Sequence, residues 1–186
     1  MVLYEHMFGS DNASSADNQQ ERLMRVGWVV GFVDGEGCFS IGFTKQDDRF
    51  RRKGYRTGFQ VGHEFAVTQG ARSACVLHEL QRFFEVGQVV VNRRYDNHKE
   101  HLYRYVVRSR KDLLNVIIPF FRENRMLTAK QQDFEKFADC VELVEQGHHL
   151  TKAGLIDIAL ITETMNRQKS RQDLIRILRD HTPDIL

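Results

Sequence analysis

The feature that most limits this chain is an apolar helical run ending directly in alternating glycines and carboxylates, Val29-Val30-Gly31-Phe32-Val33-Asp34-Gly35-Glu36-Gly37. Trp28, Val29, Val30, Phe32 and Val33 make the run apolar nearly all round, so a helix built from it needs burial on both sides. Gly27 and Gly31 fall on one face, where small residues let a second helix backbone approach closely. The second helix face is met either by the chain's own sheet or by a symmetry mate. Gly35 and Gly37 stop the helix. Glu36 then lies by the negative end of the helix dipole, which is unfavourable unless a cation offsets it. Mg²⁺ takes oxygen ligands, few of them from protein, and Glu36 with the Gly35 carbonyl suits that need. Asp-Gly-Glu-Gly is equally a good turn, and Asp34 could cap it.

Residues 1–17 are polar and small, and are expected to form a flexible leader before a single domain over 18–186. A helix is predicted from Asn18 to Val33. Alternation predicts a strand over 38–46, with Phe39, Ile41 and Phe43 on one face and Ser40, Gly42 and Thr44 on the other. A second strand over 57–68 puts Phe59, Val61, Phe65 and Val67 inward, and Gln60, Gly62, Glu64 and Ala66 outward. A helix over 71–84 carries Cys75, Val76, Leu77, Leu80, Phe83 and Phe84 on its apolar side. The pattern repeats with strands at 87–95 and 100–108 around an Asp96-Asn97-His98 turn, and a helix from Lys111 to Phe121. Further helices are expected at 129–146, 151–165 and 169–180. The order gives an α+β fold, with a four-stranded antiparallel, saddle-like sheet, helices on one face and an αββαββα core. A sheet covered on one side leaves the other free to bind something.

Charge says what that something is. Residues 38–111 hold 15 Lys/Arg against 7 Asp/Glu, and the rest of the chain 12 against 18. A basic half on a chain of net charge +2 is the footprint of a polyanion-binding face. The cysteines at 38, 75 and 140 have no zinc spacing and read as small buried groups in a reducing compartment. No apolar run is long enough to span a membrane, and the polar start does not read as a signal peptide. Gly31-x-x-x-Gly35 lacks the Lys-Ser/Thr of a P-loop, and haem or flavin sites have no support, so no small-molecule cofactor is expected.

The 29–37 stretch resembles the name motif of the LAGLIDADG homing endonucleases, with valines at 29 and 30 and Glu36 as the last acid. Phe65-Ala66-Val67-Thr68-Gln69, Ile117-Ile118-Pro119-Phe120-Phe121, Leu127-Thr128-Ala129-Lys130-Gln131-Gln132-Asp133-Phe134 and Leu150-Thr151-Lys152-Ala153-Gly154-Leu155 resemble later segments of that family in the same order. The resemblance implies a site-specific, intron-encoded nuclease that cuts both strands of a long DNA target by Mg²⁺-dependent hydrolysis, with Mn²⁺ or Ca²⁺ able to substitute in binding. It places Glu36, Lys130 and Gln69 in the catalytic centre, Glu36 and Gly35 on the metal, and an arginine in that pocket, a position that Ser73 occupies here with Arg72 one residue off; Arg72 is expected on the DNA. One motif supplies one centre, so the chain would act as a homodimer, with Gly27, Trp28, Val30, Gly31 and Asp34 at the interface. The compartment would be intracellular, a bacterial cytoplasm or an organelle.

On alternation, Ser40, Thr44, Gln46, Gln60, Glu64, Gln88, Asn92 and Arg94 face the DNA and read base edges. In the strand 100–108 alternation puts Arg104 and Arg108 outward and Tyr103 and Tyr105 in the core, whereas a gapless family match favours the opposite set. Arg49, Arg51, Arg52, Lys53 and Arg56 would touch phosphates, which position without specifying. Two other classes fit the same features: a noncatalytic nucleic-acid binder such as an intron RNA splicing maturase, and a protein-interaction domain with incidental basic charge.

Overall fold

A computed structural model of the chain describes residues 10–45, 57–92, 101–166 and 172–180. Helix α1 runs Ser10–Glu36 and passes into strand β1, Gly37–Lys45, with no residue between them. Residues 10–17, expected as a flexible leader, continue α1 instead. Lengthening an established helix fixes one residue per new bond and avoids the cost of a new nucleus. Strand β2, Phe59–Gly70, is followed by a 3₁₀ turn at Ala71–Ser73 and by α2, Cys75–Phe84. The helix expected over 71–84 is thus broken near its start.

Strands β3, Gln88–Asn92, and β4, Leu102–Val107, complete one antiparallel sheet in the order β1-β2-β4-β3. Helix α3, Arg110–Asp112, continues through a π turn at Leu113–Ile117 into α4, Ile118–Glu123. Pro119 explains the widening. It lacks an N–H and its ring crowds the carbonyl of residue 115, which a π turn accommodates. Helices α5, Lys130–Glu145, α6, Lys152–Glu163, and α7, Gln172–Asp180, follow. Thr151 caps α6, its hydroxyl accepting from the Gly154 amide at 3.1 Å.

The covered sheet face is aromatic. Phe39 stacks on Phe65 with ring centroids 5.0 Å apart and meets Phe121, Phe134 and Phe137 from the helices. Phe84 of α2 packs edge-on to Phe65. Tyr105 is fully buried and its hydroxyl donates to the Val86 carbonyl at 2.8 Å. Tyr103 packs partly buried against the same core. Alternation therefore gave the right parity for β4, with Tyr105 in and Arg104 and Arg108 out. The cysteine expectation is corrected. Cys140 is buried, its thiol pushed up to about 12 chiefly by burial, but Cys38 and Cys75 are exposed. Cys38 lies on the open sheet face and Cys75 starts α2, where neither meets the core. No helix among the described residues is long and apolar enough to cross a membrane.

Candidate active site and nucleic-acid interface

The end of α1 and the start of α5 are tied together by a short set of hydrogen bonds. The Asp34 carboxylate accepts from the Leu127 amide at 3.0 Å, the Thr128 amide at 3.2 Å and the Thr128 hydroxyl at 2.5 Å. Burial raises the Asp34 carboxyl, but the Thr128 hydroxyl, the two amides and the Lys130 charge outweigh it, and its pKa falls below the ordinary value. Thr128 also accepts from the Lys130 amide at 3.2 Å. In return the Lys130 ammonium donates to the Val33 and Gly35 carbonyls, each at 3.1 Å. A cation at the last carbonyls of a helix is favoured by the dipole. Burial lowers the pKa of Lys130, against the pull of Asp34, Cys38, Glu36 and Asp133. Buried Gln131 locks the turn, accepting from the Met126 amide at 2.9 Å and donating to Glu135 at 2.7 Å.

Glu36 and Lys130 are thus brought together, with Glu36 exposed at the helix end. Gln69 lies two residues past Val67, the strand partner of Gly37, at the level of that end. Arg72 follows, exposed in the 3₁₀ turn. Asp34, expected at a subunit interface or as a cap, is occupied as a tie within its own chain. The Gly35 carbonyl, expected on a metal, accepts from Lys130; its second lone pair leaves it able to accept another partner. Glu36 and these carbonyls form an all-oxygen set at a terminus that already draws a cation, which fits a hard ion such as Mg²⁺. No three His, Cys, Asp or Glu side chains gather into a metal site among the described residues. Water and phosphate would have to complete any shell.

The outer face of α1 is apolar and open. Leu23, Met24 and Trp28 are 61%, 62% and 40% exposed, while Val29 and Val33 are fully buried on the domain side. A Cβ added at Gly27, Gly31 or Gly35 would meet nothing within 4 Å. Trp28 stacks on Phe32 at 5.6 Å, and Val30 is partly buried against the core. Gly37 differs, because a Cβ there would fall 2.6 Å from the Val33 carbonyl oxygen.

On the open sheet face, Ser40, Thr44, Gln60 and Glu64 share one side of β1 and β2, with Gln88 and Asn92 on β3 and Arg104 and Arg108 at β4. Glu64 holds both arginines: Oε1 accepts from Arg104 Nη2 at 2.5 Å and Oε2 from Arg108 Nε at 2.6 Å. The Ser40 hydroxyl donates to the Glu64 carbonyl at 3.4 Å. Gln46, Arg49, Arg51, Arg52, Lys53, Arg56 and Arg94 lie outside the described residues. The sequence pattern did not mark Thr128, Gln131 or the ion-paired state of Glu64. A threonine immediately before the helix expected from 129 was the one available signal, as a local cap.

A family model described as LAGLIDADG endonuclease matches residues 29–141. A Podospora anserina protein, "Uncharacterized 50.9 kDa protein in ND4 intron 1", is 33% identical over 67% of this chain and 25% of its own length. "Probable intron-encoded endonuclease 2" of Neurospora crassa is 30% identical over 69% of this chain and 24% of its own. The chain therefore spans about a quarter of these curated relatives. Among solved structures, the homing endonuclease I-TnaI superposes with a TM-score of 0.67 at 35% identity, covering 85% of this chain and 97% of that one. I-SmaMI bound to uncleaved DNA in the presence of calcium ions gives 0.68 at 29% identity, over 80% of this chain and 47% of that one. On the matched segment and the shared fold, the chain belongs to the LAGLIDADG endonuclease family.

Proposed function

We propose that the protein is a site-specific homing endonuclease that hydrolyses both strands of a long DNA target in a Mg²⁺-dependent reaction, acting as a homodimer. The observation that carries this reading is the convergence of exposed Glu36 and the Lys130 ammonium at the helix end next to the open, polar sheet face. Glu36 with the Gly35 carbonyl would hold the metal ion, which supplies Lewis-acid charge at the scissile phosphate and a more acidic water. Lys130 sets positive charge where the phosphorane charge develops, and desolvation strengthens that interaction. Gln69 orients solvent at the same level. The polar strand residues would read the major groove, and the basic residues of 49–56 would contact phosphates.

Two centres are needed for two strands. The open glycine face of α1 and its exposed Leu23, Met24 and Trp28 support a second copy packed there. This chain matches 47% of the I-SmaMI chain, so two copies of the matched segment would together approach that chain's length, which is consistent with a pair acting on one target. Relatives named for introns suggest an organelle as the compartment.

One observation favours a second reading. The Lys130 ammonium is taken up by two backbone carbonyls, as a purely structural tie would be, and that suits a noncatalytic nucleic-acid binder such as a splicing maturase. Selecting cleaved duplexes from a randomised library with Mg²⁺ separates the two. The wild type is expected to cut an enriched site, and Glu36→Gln to bind it uncut. No cutting by the wild type, or cutting at full rate by Glu36→Gln, would refute the nuclease assignment. Gly31→Leu is expected to weaken a dimer seen by sedimentation.

A further inference from the structure

Ala66 and Val106 lie on the open face by strand parity, yet are only 2% and 1% exposed. Their cover lies around them. Val106 sits between Arg104 and Arg108 on β4, and Ala66, its strand partner, lies two residues from Glu64. The Glu64 carboxylate draws both guanidinium groups together across this apolar pair, one to each oxygen. Arginine stems laid on apolar surface with their heads turned to a shared acid are conformationally restricted. Without the acid the two like charges would repel and each side chain would sample many rotamers.

The geometry of the two bonds is unequal. Arg104 gives a terminal nitrogen, Nη2, to Glu64. Arg108 gives Nε, and among the described residues its Nη1 and Nη2 bond to nothing else. That leaves a two-donor edge on the more exposed of the pair, whose side chain is 53% accessible against 30% for Arg104. Two parallel N–H donors match the O6 and N7 acceptors that guanine shows in the major groove. Each Glu64 oxygen keeps a further lone pair, but both oxygens are already turned to an arginine, so holding those two side chains is the role this geometry favours over accepting from a cytosine amino group.

We propose that Glu64 is a positioning residue for base recognition: it locks Arg108 in the orientation that reads one guanine in each half-site, and holds both arginines back from indiscriminate phosphate contacts. This rests on the reading of the sheet face as the DNA-binding surface. Pre-ordering the arginine lowers the entropy cost of the specific contact. Neutralising part of its charge lowers the counterion release available on any other sequence.

The test is a selection of bound duplexes from a randomised library, repeated for variants, with salt titrations on the enriched and a shuffled duplex. The wild type is expected to prefer guanine at one half-site position by about 5- to 150-fold, the range of a bidentate pair. Arg108→Ala abolishes that preference. Glu64→Gln erodes it several-fold at the same position, tightens binding to the shuffled duplex, and steepens the slope of log affinity against log salt by about 0.9 for each further phosphate that a freed arginine neutralises. Glu64→Asp keeps the charge but not the reach to both arginines; it loses the guanine preference while binding the shuffled duplex no more tightly than the wild type does. If Glu64→Gln changes a different position from Arg108→Ala, Glu64 reads a base itself and the inference fails. If Glu64→Gln and Glu64→Asp both keep the wild-type profile and slope, it also fails. A wild type that enriches no duplex overturns the DNA-reading function, and this inference with it, whereas an enriched duplex with an unchanged position overturns the inference alone.

Discussion

The two faces of the sheet are built from the same strands and do opposite things. On the covered face Phe39, Phe65 and Tyr105 are fully buried against the helices and interlock by ring contacts. On the open face Thr44 and Gln88 are exposed, and Glu64, Arg104 and Arg108 interact through charge. Packing on one side fixes strand positions, and only then can short polar side chains on the other present a fixed pattern. The contrast is imperfect in both directions. Ala66 and Val106 are buried on the open face, and His63 lies on the covered side with its Nδ1 buried and unpartnered among the described residues.

The largest expected effect breaks the covered face. Phe39→Ala removes a ring that touches four others and is expected to cost about 3–5 kcal/mol of stability, read as a lower urea midpoint. An unchanged midpoint would mean that the aromatic layer does not set the scaffold. Next comes the edge where the two faces meet at the end of α1. Lys130→Ala is expected to slow single-turnover cleavage by about 10²-fold while leaving affinity for the target nearly unchanged, because the role proposed for that charge is on the transition state. Normal cleavage at saturating protein would make Lys130 a tie and nothing more.

The histidine exception gives a pH-dependent effect. Burial lowers the pKa of His63, and Arg110 and His149 lower it further. His149 is lowered by burial and Arg110, against a hydrogen bond to the Val144 backbone. Arg110 itself is paired with Glu145. Both histidines therefore bind protons more weakly folded than unfolded. Stability is complete above the unfolded value of 6.5 and declines as pH falls below it through the lowered folded values. Urea melts from about pH 8 down to about pH 5 should show this decline, and His63→Gln should flatten it. Equal slopes in the two proteins would remove His63 as a contributor. The smallest effect belongs to the open face. Thr44→Ala is expected to change stability by no more than about 0.5 kcal/mol, while a shift in base preference at one position would mark it as a reader. A large stability loss there would erase the distinction between the faces.

Period-two alternation was enough to sort the strands: it put Phe39 and Phe65 in and Ser40, Thr44 and Glu64 out, and it chose the right parity for Arg104 and Arg108. Local pattern placed the end of α1 only to within a turn: it was expected at Val33 with Gly35 as a stop, yet the helix runs through Gly35 to Glu36 and gives way at Gly37. What it could not give depends on partners far along the chain. Asp34 bonds to Leu127 and Thr128, and Lys130 to Val33 and Gly35, across more than ninety residues. A turn-forming Asp-Gly reads the same whether its carboxylate faces water or another helix. Burial of Ala66 on the open face depends on which neighbouring side chains come to lie over it, which residue type alone does not encode. The π turn at Leu113–Ile117 arises from a clash between Pro119 and a carbonyl one turn earlier, and the apolar spacing around it looks like an ordinary helix.

The direct passage from Glu36 to Gly37 has a mechanical meaning. With no connecting residue, and with Val33 pressed so closely on Gly37 that no side chain fits between them, the helix and its strand cannot hinge against one another. Helix and strand turn as one crank. On the proposed function, any tilt of β1 on a poorly matched duplex would swing the Glu36 carboxylate through the same angle, away from the phosphate it is proposed to serve. A nuclease built on this joint would check its substrate by alignment: a base pair that seats the strand badly would also withdraw the acid proposed to hold the metal ion.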